Sequence, residues 1–169
     1  DRGAGAWIGI AGLRAATLAL DGVDNAGRRL LDRARIRFGD PLGWPAQLYT
    51  REDRAGVLAE FAPDVAILSA DGDARATRIL NHAGVHVANT LAAAFVPGIP
   101  AVASTSGGVF HAGGAFTAAF LARLTSLRPD VELHDPLGTS LDGAVHLARM
   151  VEQPSTITPR EQHLWLSGR

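Results

Sequence analysis

Ala101-Val-Ala-Ser-Thr-Ser-Gly-Gly-Val-Phe110 is the stretch on which the fold turns. Ala101 to Thr105 is a short apolar run bounded by proline and glycine, the pattern of a buried strand. Ser106 to Phe110 then makes a tight turn, and Phe116 to Leu124 reads as a helix. Val131-Glu-Leu-His134 is a second strand candidate, stopped by Asp135-Pro136, and Ser140 to Val151 reads as a helix capped by Ser140. Strand, turn, helix, strand, helix in that order predicts a parallel βαβ unit and an α/β fold.

Upstream the pattern is helical. The glycine-rich opening, Asp1 to Gly9, is expected to be loop, followed by a helix carrying Leu13, Ala16 and Leu20 on one face. Residues 25 to 37 form a second helix-compatible stretch, and Gly39 to Pro45 has turn chemistry. Residues 52 to 70 keep a 3.6-residue period through Val57, Leu58, Phe61, Val65 and Leu68. Asp71-Gly-Asp73 breaks that helix, and either aspartate can cap the next, expected from Ala74 to Phe95 ahead of Pro97.

A chain of 169 residues fits one domain, which typically takes roughly 100–200. It contains no Cys, which removes disulfides, thiolate metal sites and cysteine nucleophiles. All 16 basic residues are Arg, so a P-loop lysine and Schiff-base chemistry are also excluded. A net charge of -1 gives no general attraction to nucleic acid or anionic membrane, so neither is expected as a partner. Residues 79 to 122 carry no Asp, Glu, Lys or Arg, yet Asn, His, Pro and Gly interrupt them throughout. A membrane span needs roughly 20 unbroken apolar residues, so this stretch reads as buried core. The polar tail, 151 to 169, with Pro154 and Pro159, is expected to be loosely attached to the domain at 1 to 150. The opening at Asp1 reads as the inside of a motif, so further sequence is expected upstream.

The chemistry is concentrated at Ser106-Gly107-Gly108-Val109-Phe110. Two glycines there let a ligand approach the backbone with no Cβ between. A helix N-terminus just beyond offers unpaired N–H groups to phosphate or ribose oxygens. Open α/β sheets bind ligands at this place, outside the carboxyl ends of the strands.

Five segments resemble consecutive landmarks of the N-acetylglucosamine kinase group, which includes the BadF-type ATPases of the actin-like ATPase superfamily. Asp1-Arg-Gly-Ala-Gly-Ala-Trp-Ile-Gly9 and the residues to Arg14 resemble the family's Asp-Glu-Gly-Ser-Gly-Tyr-Trp-Ile-Gly segment and its following helix. Tyr49 to Arg54, leading into Val57-Leu-Ala-Glu-Phe-Ala-Pro63, resembles its tyrosine stretch and Ile-Ala-x-Leu-Ala-Pro helix. Gly72-Asp-Ala-Arg-Ala76 is similar to its Gly-Asp-Pro-x-Ala break. Ser106 to Phe110 matches its Ser-Gly-Gly-Val-Phe without change, and Ser140-Leu-Asp-Gly-Ala144 resembles its closing Pro-Leu-Asp-Gly-Ala helix. The resemblance runs from Asp1 to about Met150.

The resemblance implies a ribonuclease H-like (actin-like ATPase) domain, a mixed sheet with packed helices, forming the C-terminal, nucleotide-gripping half of a cytoplasmic amino-sugar kinase. Such enzymes use ATP and Mg²⁺ to phosphorylate N-acetylglucosamine or glucosamine, usually at the 6-hydroxyl. By the same resemblance Asp1 binds sugar hydroxyls, Ala59 lies beside the adenosine, and Ser106, Gly107, Gly108, Val109 and Phe110 hold the nucleotide. Arg2 and Ala4 depart from the family, which has Glu and Ser there. The phosphate loops and the general base belong to the N-terminal half, which no segment here matches, so no catalytic residue is assigned. A non-catalytic nucleotide- or sugar-binding module on the same scaffold is the alternative. A dehydratase activator of the same superfamily would need cluster-binding cysteines, which are absent. A cleft-facing apolar surface left open by the missing half makes a homodimer a further expectation.

Other candidates are weaker. His82 and His86 share a helix face but have no neighbouring Asp, Glu or Cys to complete a metal set. His111 follows the turn and can cap it or touch phosphate. His134 and Asp135 are strand neighbours and point to opposite faces. Ser104, Thr105 and Ser106 lack a Gly-x-Ser-x-Gly elbow, and Trp7, Trp44 and Trp165 are scattered. Because phosphoryl transfer depends on parts this chain lacks, the isolated polypeptide should show no sugar phosphorylation in a coupled ADP-release assay. Turnover above background would contradict that expectation.

Overall fold

The computed structural model describes residues 1–151, and the expected loose tail and Trp165 lie outside the described residues. The first surprise is the opening. Helix α1 runs over Gly5–Leu20, so the glycine-rich segment is helical from Gly5 onward instead of loop. Its glycines serve packing. A Cβ on Gly9 would overlap the Leu58 carbonyl, and one on Gly12 would press on Phe61 and Val65. Glycine weakens a helix by about 1 kcal/mol against alanine, and here the cost is met by close approach to the next helices.

Helix α2 spans Arg28–Phe38, and a 3₁₀ turn at Pro41–Gly43 leads into α3, Trp44–Tyr49. The expected turn therefore continues into a short helix, which tolerates Pro45 within its first two positions. The expected helix over 52 to 70 is two helices, α4 (Arg54–Ala59) and α5 (Ala62–Ala70). Pro63 explains the break. Its ring has no N–H to donate and clashes with the carbonyl four residues back, so it can only start a new helix. Asp73 caps α6, Ala74–Ala94, accepting hydrogen bonds from the N–H groups of Arg75 and Ala76 at 3.0 and 2.9 Å.

The second half is the βαβ unit. Strand β1 (Val102–Ser104) pairs in parallel with β2 (Glu132–His134), with Ala103 opposite Leu133, and α7 (Gly114–Leu127) connects them. Helix α8 covers Ser140–Val151. Its cap is Thr139, one residue before the expected Ser140. The Thr139 hydroxyl accepts from the Asp142 N–H, and the Asp142 carboxylate accepts from the Thr139 N–H at 2.7 Å. The architecture is helix-rich, mixed α and β, with a small parallel sheet, compatible with an α/β class.

Two contacts organise the helices. Helices α6 and α7 lie parallel: Gly84 abuts Phe116 and Phe120, and Arg123 donates to Asn89 at 2.8 Å. Phe61, Phe116, Phe120, Ile8, Leu30, Leu80 and Val65 are fully buried around this seam and α1. Helix α2 is tied to α5 by charge. Asp64 is buried in the first turn of α5, and its carboxylate accepts from Arg33 at 2.9 Å and from Arg37. A carboxylate there also meets the positive end of the helix dipole. Losing Asp64 would leave two half-exposed guanidinium groups unpaired, a cost of about 1–3 kcal/mol.

Gly84 supplies the test of close packing. A Cβ there would collide with the Phe116 carbonyl and stand 2.9 Å from the Phe120 nitrogen, both backbone atoms of α7. Alanine gains about 1 kcal/mol in helix propensity, yet overpacking costs about 1–3 kcal/mol. Gly84→Ala should therefore lower the urea unfolding midpoint. Gly56→Ala, where a Cβ meets open space within α4, should raise it. Equal shifts at both positions would contradict the packing account.

Candidate functional site

The turn after β1 is built by glycine. Gly107 has φ +102°, a region other residues rarely adopt, and it opens a 3₁₀ turn at Gly108–His111. The Gly107 carbonyl accepts from the Phe110 N–H at 3.2 Å, which closes the turn. The N–H groups of Gly108 and Val109 find no acceptor among the described residues. A Cβ at Gly107 or Gly108 would meet nothing within 4 Å, so this backbone faces open space.

Val109 and Phe110 have a different duty. Both are half-buried against the core, and the Phe110 ring meets those of Phe116 and Phe120 edge-on at 5.5 and 5.3 Å. They anchor the turn to α7 from below while the glycines stay open. Rigid support of this kind holds backbone donors in place without side-chain help.

A cavity of about 860 Å³ lies at the carboxyl ends of the two strands. Ser104 and Ser106 form its β1 wall, while the loop after β2 and the α8 side chains of His146 and Arg149 form the other. Of the residues expected to hold a nucleotide, Ser106 lines this cavity and the two glycines sit directly after it. His146 and Arg149 were not singled out by sequence. Their signal was slight: a spacing of three on a helix that follows a strand, which puts both on one face.

Asp1 and Ala59 sit elsewhere. Asp1 is exposed, and its carbonyl accepts from the Ala4 N–H at 3.2 Å. Gly3, two residues on, presses against Ala83 and Val87 of α6, whereas Ala112 to Ala115 share a small cavity with Thr77. Ala59 is half-buried beside Gly5 of α1. Ala59 therefore sits against the start of α1.

The histidines resolve individually. His86 packs edge-on against Trp7, with ring centroids 5.0 Å apart, while His82 is exposed. His134 stands 3.5 Å from Glu132, the same-face neighbour two residues back, and not against Asp135. Among the described residues no group of three or more His, Asp or Glu is placed to hold a metal ion. No helix among them is long and apolar enough to cross a membrane.

A scan against protein-family models finds no match to this chain, and a search of the curated proteins finds none either.

Asp142 bears on the cavity because it ties down the start of α8. Hydrogen bonds from the Thr139 hydroxyl and then the Thr139 N–H hold its carboxyl below the usual carboxylate range. A depressed pKa means the cap is intact above the ordinary aspartate pKa and is lost as pH falls through the lowered value. Amide resonances of residues 139–143 should therefore shift towards a frayed helix on acidification. Thr139→Ala should produce the same fraying at neutral pH. A start of α8 indifferent to both would refute the capping role.

Proposed function

We propose that this chain is the C-terminal half of an ATP-dependent amino-sugar kinase, a ribonuclease H-like domain of the actin-like ATPase kind. In this reading it grips the nucleotide and supplies no general base. The observation that carries the reading is the Ser106-Gly107-Gly108 turn, open to solvent at the carboxyl end of a parallel strand. Ligands of open α/β sheets bind at that place. The motif is also the one segment identical to the family pattern.

The residues fit a nucleotide. Free N–H groups at Gly108 and Val109 suit phosphate or ribose oxygens, and the glycines let those oxygens come close. Arg149 brings a guanidinium to the cavity lined by Ser106, the residue before the glycines, and charge-assisted bonds to phosphate are about twice as strong as neutral ones. Asp142 is the one carboxylate among the described residues that line this cavity, and one of its oxygens is turned to the Thr139 N–H and hydroxyl, so Arg149 is the group that offsets its charge. Mg²⁺ would arrive with ATP, its remaining ligands coming from the other half of the kinase.

The exposed apolar residues Val102, Leu133, Leu137, Leu141 and Val145 lie on the sheet, the following loop and α8. A parallel sheet is ordinarily covered on both faces. Such exposure suits a surface that a partner half, or a second copy of the chain, would cover. A cytoplasmic location goes with this reading.

The alternative, a binding module without chemistry, draws on a specific observation. The open Ser106–Gly108 turn is a binding feature that needs no catalytic residue beside it.

Calorimetric titration with ATP·Mg²⁺ tests the reading. Weak saturable binding is expected. Gly108→Asp should abolish it, since the residue has no positive φ and its Cβ meets open space, leaving charge repulsion as the cause. Arg149→Gln should weaken binding about tenfold, in line with one charged hydrogen bond. Binding unchanged by both variants would overturn the assignment of the turn.

A further inference from the structure

A second cavity, of about 480 Å³, lies along α1, with α3 and α4 forming its other walls. Its floor is Leu13, Trp44, Leu48 and Leu58, each of them buried. Its rim carries Leu18 and Leu20, both more than a third exposed, together with Tyr49. This volume falls in the range of small-molecule sites, which are apolar with a few placed polar groups.

The polar groups here are of one sign. Arg14 and Arg54 line the cavity, and no Asp or Glu does. Arg54 is held in place: its Nε donates to the Leu48 carbonyl at 2.8 Å, and its guanidinium stacks 5.1 Å from the Tyr49 ring centre. That leaves its terminal nitrogens for another acceptor. Arg14 makes no ion pair and no hydrogen bond through its guanidinium among the described residues. Arg29, Arg33, Arg37, Arg51, Arg75 and Arg128 are paired with carboxylates, whereas Arg14, like several other surface arginines, is not. It is set apart from those by lining this apolar cavity beside Arg54. Two uncommitted guanidinium groups above a carbon-lined floor call for a ligand with an apolar body and an anionic head.

We propose that this cavity binds a small amphiphilic carboxylate, with its hydrocarbon chain against Leu13, Trp44 and Leu58 and its head between Arg14 and Arg54. The site is independent of the nucleotide reading. A planar carboxylate matches the paired donors of a guanidinium, which a neutral head group cannot do. The chain contributes through burial, so each further methylene that enters should tighten binding about fourfold.

The test is titration of the full chain with octanoate, decanoate and decanol, all below their aggregation limits, followed by calorimetry and by Trp44 fluorescence. One-to-one binding is expected for both carboxylates, decanoate tighter than octanoate by about fifteenfold for its two further methylenes. Arg14→Gln should weaken decanoate about tenfold and leave decanol unchanged. Thr17→Phe, an exposed position on the cavity wall, should block both ligands with the circular dichroism of the parent retained. Three results would overturn the proposal: no saturable binding, decanoate binding indifferent to Arg14→Gln, or a concentration-dependent dimer in which decanoate no longer binds.

Discussion

Backbone contact between α6 and α7 at Gly84 is the constraint from which most of the second half follows. With no side chain on Gly84, the Phe116 carbonyl and Phe120 nitrogen of α7 come within reach of α6. The two helices therefore run side by side and parallel, with Asn89 and Arg123 joined further along. Parallel helices in sequence need a return segment between them, and residues 95 to 113 provide it. That return holds β1 and the glycine turn. Strand β1 leads through that turn into α7, β2 follows α7, and the two strands pair in parallel. The turn therefore stands at the carboxyl end of a parallel strand.

The parts legible in sequence were those with punctuation. Pro100, Gly107-Gly108 and Asp135-Pro136 bracket the two strands, and Asp73 with Pro97 brackets α6, so those elements fell where expected, although β1, expected to be buried, has Val102 and Ser104 exposed. Glycine misled at the opening because it carries two meanings. In a loop it grants backbone freedom, but at Gly9 and Gly12 it grants proximity within an unbroken helix, and only the neighbouring helix tells the two apart. Pro63 was hidden by periodicity, since Phe61 and Val65 stay on one face through the break. The pairing of Asp64 has no local signal, because its partners Arg33 and Arg37 lie 31 and 27 residues back.

The candidate site was legible in its backbone and not in its side chains. A Ser-Gly-Gly turn announces close approach, and the open space around Gly107 and Gly108 agrees with that expectation. Which side chains face it depended on how α8 sits across from β1, and this brought in His146 and Arg149. The division of labour inside the five-residue motif was also hidden. Gly107 and Gly108 face outward, while Val109 and Phe110 face the core and fix the turn by aromatic contact. One motif is therefore divided between an open backbone and a packed aromatic anchor.

The central claim is that the backbone of this turn receives a nucleotide. It is tested most directly by following backbone amide resonances during titration with ATP·Mg²⁺. The account predicts saturable shifts at Gly107, Gly108 and Val109, with accompanying changes around Arg149, and no comparable change near Trp44. Shifts confined to other regions, or none at ligand concentrations that saturate related nucleotide sites, would contradict it.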